Sequence, residues 1–315
     1  MNSHNATYPL ISIIIPIYNA SMYLERCFRC LYGQSYSNLE FVLIDDGSTD
    51  GSGDMCDMMT AKDNRFKVFH VANGGASLAR KLGLEQAAGE FVSFIDSDDY
   101  ITDDYIKQLY ALRTLYQTNI SACRVQRIRR EESKPQATEQ SSTILAFEQL
   151  MPRFFRYEFW GLYGKLYKRD IFDNITFPTA TISEDYLVTM QLLLQERQMA
   201  YTDAPLYFYE YHEDGLSHLK LSKRAFEEFD NVKAVYELAQ TQAPQYSAMA
   251  LSNVVETCIK LLSMAHQDRA RHFDANAAPL RQFLKTHLWE ILRSRAVYWK
   301  LKVMVMLLLT KPLQP

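Results

Sequence analysis

The chain predicts an α/β fold with a mostly parallel central sheet and a helical C-terminal region. Three observations carry this. Over the first 125 residues, short unbroken apolar runs alternate with segments of helical period, a pattern that gives strands joined by right-handed helical crossovers. Two of those runs stop abruptly on carboxylates and turn residues. From Ser222 onward the apolar spacing is helical.

The first strand candidate is Leu10 to Ile15, ending at Pro16-Ile17-Tyr18-Asn19. Proline cannot donate to a ladder, so it belongs at a strand's end. Asn19 or Ser21 is placed to cap the next helix. That helix carries Tyr23, Leu24, Cys27, Phe28 and Leu31 on one side and stops near Gly33. Glu40 to Ile44 is the second strand, ending in Asp45-Asp46-Gly47-Ser48-Thr49-Asp50-Gly51. The Asp-Gly-Ser stretch is also ordinary turn chemistry. Helical spacing follows through Met55, Met58 and Met59. Phe66 to His70 is a third, more exposed strand, and Asn73-Gly74-Gly75 turns into a helix from Ala76 to Ala88. Arg80 and Lys81 lie early in that helix, where each can reach a phosphate or stay a solvated surface charge.

Phe91 to Ile95 has no alternation and reads as a strand buried on both faces. It stops on Asp96-Ser97-Asp98-Asp99, three carboxylates in four positions. In an open parallel sheet that end faces the ligand crevice. Clustered carboxylates repel unless a cation or donors neutralise them. Hard oxygen ligands suit Mg²⁺ or Mn²⁺, which takes one or two carboxylates plus substrate phosphates. The competing reading is a helix start, with Asp98 or Asp99 as N-cap and Asp103 and Asp104 favouring the first turn.

A helix from about Asp103 to Tyr116 and a strand from Ile120 to Val125 follow. Gln126 to Ser142 is polar and reads as an exposed loop. A short helix from Ile144 to Phe155 leads into the aromatic, glycine-broken segment Phe159 to Lys168, which can stack on a sugar ring or pack as core. Ile182-Ser183-Glu184-Asp185-Tyr186 opens a helix striped by Leu187, Met190, Leu193 and Leu194. Asp185 is either a helix-start acid or a general base at the crevice. Tyr207 to Tyr211 alternates as a strand, followed by His212 and a Gly215-Leu216-Ser217-His218 turn. Three helices complete the chain: Lys223–Gln240, Ala248–Gln267 and Ala278–Leu308. The last mixes Trp289, Tyr298, Trp299, Val303, Met306 and Leu307 with Arg293, Arg295, Lys300 and Lys302. Such a basic amphipathic helix suits a membrane surface; packing as an ordinary C-terminal helix is the alternative.

Composition narrows the class. The 315 residues are 48% hydrophobic and 23% charged, enough apolar material for a sizeable core. A net charge of −3 gives no reason to expect nucleic acid as partner. The five cysteines are scattered, and the Cys27-x-x-Cys30 pair has no second pair at zinc spacing, so core thiols in a reducing compartment are expected. The first ten residues lack a basic start plus apolar run, so no signal peptide is expected. The apolar runs read as shorter than the ~20 residues a bilayer span needs. A soluble or peripheral, cytoplasmic protein is the expectation.

The motifs in register carry more than any one of them. Pro16-Ile17-Tyr18-Asn19, then Asp45-Asp46-Gly47-Ser48, then Asn73-Gly74-Gly75 with Arg80, then Gly89-Glu90 leading to Asp96-Ser97-Asp98-Asp99, then Glu184-Asp185 closely resemble the family 2 glycosyltransferases with a GT-A (nucleotide-diphospho-sugar transferase) fold. The resemblance is strong over residues 11–100, weaker to about 218, and does not cover the last hundred residues. It implies a GT-A domain over 1–218, with a nucleotide-binding half at 9–125 and an acceptor-side half at 144–218. A helical region over 219–315 would follow, with membrane contact through residues 288–310. It further implies an inverting, metal-dependent transferase moving a sugar from a nucleotide-diphosphate donor, of UDP type, to a saccharide or lipid-linked saccharide in cell-surface polysaccharide synthesis. By position, Pro16, Ile17, Tyr18, Asn19 and Asp46 would hold base and ribose, buttressed by Asp45. Arg80 would lie near the ribose or diphosphate, with Asp96 and Ser97 in the donor-binding turn. Asp98, with Asp96, would hold Mn²⁺ or Mg²⁺, and Asp185 would be the base, with Glu184 as neighbouring candidate.

Two departures stand out. Lys81 follows the arginine where asparagine is common, and the segment Tyr209-Glu210-Tyr211-His212-Glu213-Asp214-Gly215-Leu216-Ser217 lacks an arginine many members carry. His212 or His218 is the candidate substitute. A sugar nucleotidyltransferase would instead want a glycine-rich, lysine-bearing phosphate loop, which Pro16 to Ala20 is not. A non-catalytic nucleotide-sugar-binding module would not need every carboxylate position filled.

Overall fold

The computed structural model describes residues 8–128, 141–179, 182–211, 222–267 and 274–310. The chain divides into two compact units. Met1–Leu150, Gly161–Phe177 and Gln195–His212 form the first; Met151–Trp160, Pro178–Leu194 and Glu213–Pro315 form the second.

The first unit opens with β1 (Ile11–Ile17), α1 (Ser21–Tyr32), β2 (Leu39–Asp45), α2 (Ser52–Lys62), β3 (Phe66–His70), α3 (Ala76–Gln86) and β4 (Phe91–Phe94). Then come β5 (Tyr100–Ile101), α4 (Tyr105–Tyr116), β6 (Ile120–Ile128) and β7 (Ser142–Ala146). Helix α5 (Phe147–Phe154) begins here, and β8 (Lys165–Lys168) and β9 (Gln198–Glu210) complete the sheet. The strand order is β3-β2-β1-β4-β8-β6-β9-β5, with β7 on β9. β3, β2, β1 and β4 are parallel, as the crossover spacing predicts. β8 runs antiparallel between β4 and β6. β6 and β9 are parallel, and β5 and β7 pair antiparallel with β9.

β1 is an apolar run because both faces are covered. Ile11, Ile13, Ile15 and Ile17 share one core with Leu24, Cys27, Phe28 and Leu31 of α1 and Tyr105, Ile106 and Leu109 of α4. Ile14 meets α3, where a Cβ on Gly83 would lie 2.3 Å from Ile14 Cγ2. Only glycine permits that approach. Each isoleucine so buried contributes about 1.5–3 kcal/mol. One buried charge is fully engaged: Glu40 accepts from Ser12 Oγ (2.5 Å), Ala88 N–H (2.6 Å) and Lys67 Nζ (2.7 Å). All five cysteines are free thiols, buried except for half-buried Cys30.

The predicted loop over Gln126–Ser142 is shorter than expected. β6 continues to Ile128 because Gln126, Arg127 and Ile128 pair with Phe208, Tyr209 and Glu210. Ser142 already belongs to β7, and residues 129–140 lie outside the described residues.

The second unit holds most of α6 (Glu184–Glu196), then α7 (Glu227–Gln242), α8 (Ser247–Gln267), α9 (Asp274–Thr286), α10 (Leu288–Arg293) and α11 (Trp299–Thr310). The predicted single helix Ala278–Leu308 is therefore three. Ser294 turns extended, with ψ 130°, and its Oγ accepts from Ala296 N–H at 3.2 Å. That local bond competes with helix continuation. Among the described residues one helical stretch, Pro244–His266, is long and apolar enough to cross a membrane by length and composition. This corrects the expectation of uniformly shorter runs; 67% of its apolar 18-residue window is buried inside the fold, which is the habit of a core helix. Trp289, Tyr298 and Trp299 are 73%, 62% and 62% exposed.

Candidate active site

In the first unit, parallel registers set the strand ends side by side. Ile17 pairs with Asp45, and Asp45 with His70. Asp46 N–H donates to Ile17 O (2.8 Å) and Ile95 N–H to Ile14 O (3.1 Å). Tyr18, Asn19, Asp46 and Asp96 therefore leave the same edge of the sheet, where a crevice is expected. Pro16 lies past the last β1–β4 pair, Ile14 with Phe94, and Ile17 is fully buried.

The turn after β1 is tied to the turn after β2. Asn19, in the left-handed region at φ 48°, accepts from Thr49 N–H at 2.8 Å and donates its own N–H to Ser48 Oγ at 3.0 Å. Neither Asn19 nor Ser21 caps α1, contrary to expectation. The N-cap is Ala20, and Ser52 Oγ and Asp50 Oδ2 accept from the amides of Ala20 and Ser21, each at 2.9 Å. Side chains from a turn 30 residues on do the capping, which local sequence does not reveal. Tyr18 stands beside this turn, 53% exposed.

Asp45 and Asp46 are both buried. Asp45 accepts from Ser48 N–H (3.1 Å) and bonds His70 Nδ1 (2.7 Å), while His70 Nε2 reaches Asp57 (3.2 Å). Burial alone would raise the Asp45 carboxyl, but the bonds from Ser48 and His70 outweigh it and hold it below its ordinary value. Asp46 accepts from Gly74 N–H (2.7 Å) and Gly75 N–H (2.8 Å), so it shapes the loop into α3. Gly47 turns the chain at φ 73°, with its Cβ position 2.9 Å from Asn73 N.

Arg80 of α3 is buried, and its Nη2 donates to Asp96 Oδ1 at 2.7 Å. Arg80 is therefore not a solvated surface charge, whereas Lys81 is exposed. The turn Asp96–Asp99 closes through Asp99 N–H to Asp96 O at 3.1 Å. Ser97 and Asp98 are half-buried. Asp99 is no helix cap: the N-cap of α4 is Asp104. Its carboxylate accepts instead from Tyr207 Oη (2.6 Å) and Glu210 N–H (3.0 Å). Burial, then the charges of Asp98 and Asp96, push the Asp99 carboxyl well above its ordinary value.

That clustering of negative charge is the observation against which a bound cation can be tested. Asp96 keeps 24% of its side chain exposed, and Asp98 is half-buried beside it. Two oxygen-donor residues at a strand end suit a hard divalent cation that shares its remaining ligands with phosphates. Among the described residues no group of three or more His, Cys, Asp or Glu forms a self-sufficient metal cage.

Glu184 and Asp185 lie in the second unit, at the first turn of α6, and both are buried. Asp185 Oδ1 accepts from Tyr186 N–H at 2.9 Å, and Ser183 ahead of them is left-handed at φ 58°. Acids at a helix N-terminus are stabilised by its dipole. In the aromatic segment Phe159–Lys168, which runs into β8, Phe159, Leu162, Leu166 and Tyr167 are buried as core, while Trp160 and Tyr163 are half-buried. His212 and His218, the candidate substitutes for the absent arginine, lie outside the described residues.

Sequence reasoning missed four residues of this edge: Arg26, His70, Tyr207 and Glu210. His70 alone had a signal, as the last residue of a strand whose neighbour ends in Asp45.

Comparison with known proteins bears on the family and the fold. The family model for glycosyl transferase family 2 matches residues 12–183. Glycosyltransferase GlyA of Streptococcus pneumoniae is 30% identical over 226 residues, covering 68% of this chain. The chain spans only 32% of the length of that relative. Among solved structures, Staphylococcus aureus TarS 1-349 in complex with UDP-GlcNAc superposes with a TM-score of 0.67 at 22% identity, covering 94% of this chain and 84% of that one. The mannosyltransferase PcManGT from Pyrobaculum calidifontis, in complex with GDP-Man and Mn²⁺, gives 0.58 at 16% identity, covering 96% and 88%. The α/β architecture is that of the GT-A glycosyltransferases, and the chain belongs to glycosyl transferase family 2.

Proposed function

We propose that this protein transfers a sugar from a nucleotide-diphosphate donor, of UDP type, to an acceptor hydroxyl, with inversion. The observation that carries the reading is the Asp96–Asp99 turn at the parallel sheet's edge, with buried Arg80 on Asp96 and like-charged carboxylates crowding Asp99. TarS and PcManGT, which share the fold, bind UDP-GlcNAc and GDP-Man respectively. Tyr18, with Asn19, Pro16, Ile17 and Asp46 around it, takes the base and ribose, and Asp45 supports that turn. Arg80, Asp96 and Ser97 face the diphosphate. Asp98 and Asp96 would hold a Mn²⁺ or Mg²⁺, which when bound would supply charge neutralisation for the leaving diphosphate.

In a single displacement the acceptor oxygen bonds to the anomeric carbon as the bond to the diphosphate breaks. The acceptor proton passes to a carboxylate, a step worth ~10²–10⁴ in rate. Asp185 is assigned that role from the family resemblance, with Glu184 its neighbour. Asp185→Asn should abolish transfer, read as nucleoside diphosphate released only with acceptor present, and keep donor binding. Normal turnover by that variant removes Asp185 from the role.

The acceptor assigned is a saccharide or lipid-linked saccharide of a cell-surface polysaccharide, used at the inner face of the cytoplasmic membrane. Exposed Trp289, Tyr298, Trp299 and Leu307, flanked by Arg293, Arg295, Lys300 and Lys302, support contact with anionic lipid through residues 288–310. Co-sedimentation with phosphatidylglycerol vesicles should fall in a Trp299→Ser/Leu307→Ser variant. Equal sedimentation of both proteins counts against the contact.

A further inference from the structure

Arg26 lies on α1, whose core-facing side chains are Leu24, Cys27, Phe28 and Leu31. Its guanidinium reaches the turn after β4. Nη1 donates to the Glu210 carboxylate at the end of β9, and Nη2 donates to the Asp98 carbonyl. Cζ lies 5.2 Å from the Tyr100 ring centroid. The Glu210 side chain is 1% exposed, and a carboxylate that deep needs a charged partner. Arg26 Nε is buried with no hydrogen-bond partner. The fork is therefore oriented by its two ends, not by satisfying every donor.

The contacts continue around the turn. Glu210 N–H donates to Asp99 Oδ1, and Tyr207 Oη donates to Asp99 Oδ2 while accepting from Asp96 N–H at 3.2 Å. Arg26 thus joins the backbone of Asp98 to the same strand end that fixes Asp96 and Asp99. Three neighbouring carboxylates push such a turn apart. A planar fork engaging a carbonyl and a carboxylate at once resists this; a lysine point charge cannot hold both.

We propose that Arg26, anchored by Glu210, is a positioning residue that holds the Asp96–Asp99 turn in the shape that receives a divalent cation together with a nucleoside diphosphate. The proposal rests on the donor-site reading above. Asp98 needs its carbonyl pinned for its carboxylate to be presented in a fixed direction, and supporting contacts of this kind tune metal affinity strongly.

The test compares wild type, Arg26→Gln, Arg26→Lys, Glu210→Gln and the Arg26→Gln/Glu210→Gln double variant. UDP is titrated calorimetrically with and without Mn²⁺, and free Mn²⁺ is followed by electron paramagnetic resonance. Each Gln single variant should lose ~10–100-fold in Mn²⁺-dependent UDP affinity, with metal-free UDP binding unchanged. Arg26→Lys should recover part of the loss. The double variant should lose no more than Arg26→Gln, because the pair acts as a unit. It leaves no lone buried charge, so it remains informative where Arg26→Gln fails to fold. Wild-type Mn²⁺ dependence in the double variant overturns the proposal. Equal loss of metal-free and metal-dependent binding does so too, since it marks a general lesion. Wild-type protein that binds neither UDP nor Mn²⁺ overturns the donor-site reading itself, and the proposal with it.

Discussion

At the end of β2, Asp45 is 5% exposed and bonds Ser48 N–H and the His70 ring. At the turn after β4, Asp99 is 1% exposed and accepts from the Tyr207 hydroxyl and Glu210 N–H. Surface exposure and number of bonds are similar, yet Asp99 lies deeper in the fold and the carboxyls move oppositely. Asp45 stays below its ordinary value although burial opposes it; Asp99 is raised by burial and then by Asp98 and Asp96. The difference is first the heavier burial of Asp99 and then the neighbours: an imidazole beside one carboxyl and two carboxylates beside the other. The first turn is electrostatically closed. The second, even with Arg80 and Arg26 reaching it, carries an excess of negative charge that a cation would satisfy.

The largest expected effect tests that contrast directly. Asp98→Asn removes one like charge, so the unfolding midpoint in urea should hold or rise. Mn²⁺-dependent UDP binding should meanwhile fall by at least the ~10–100-fold seen when metal sites lose supporting groups. Asp45→Asn should do the reverse. Losing the charge-assisted bond to His70 costs about 1–3 kcal/mol, with the Mn²⁺ dependence kept. An Asp98→Asn protein that is destabilised yet binds UDP with Mn²⁺ normally would erase the distinction between the two turns.

The same contrast shows what the sequence could disclose. Leu10–Ile15, Glu40–Ile44 and Phe91–Ile95 were readable as strands because burial on both faces leaves unbroken apolar runs, and their acidic ends follow from sheet topology. That Asp45-Asp46, Arg80 and Asp96–Asp98 belong together was readable only through the resemblance to the family 2 glycosyltransferases. Pairings set by the tertiary fold were not. Tyr207 and Asp99 are 108 residues apart, and Arg26 and Glu210 are 184 apart. Arg26 sits on the polar side of an amphipathic helix, where an arginine ordinarily faces water. Glu210 stands in the very segment where an arginine was missed, and nothing local says that its partner comes from α1. The antiparallel β8 was equally hidden, since four residues give too little pattern to fix a strand's direction.

The smallest expected effect lies at His70. Its bonds to Asp45, and then to Asp57, raise its pKa above the ordinary value, with burial opposing. The folded state therefore holds the proton more tightly than the unfolded chain. The stabilisation is complete below about pH 6.5, the ordinary histidine value, and is lost as pH rises through the higher folded value. With 46% of the side chain exposed, the effect should stay below about 1 kcal/mol. Urea midpoints of wild type should decline across that alkaline window while those of His70→Gln stay flat, because glutamine does not titrate. A gap between the two proteins that widens with rising pH would mean the neutral imidazole is the preferred partner of Asp45. Since Asp45 remains ionised throughout this window, the difference between the two proteins reports on the imidazole, and its midpoint measures how strongly the β2 turn holds a positive charge.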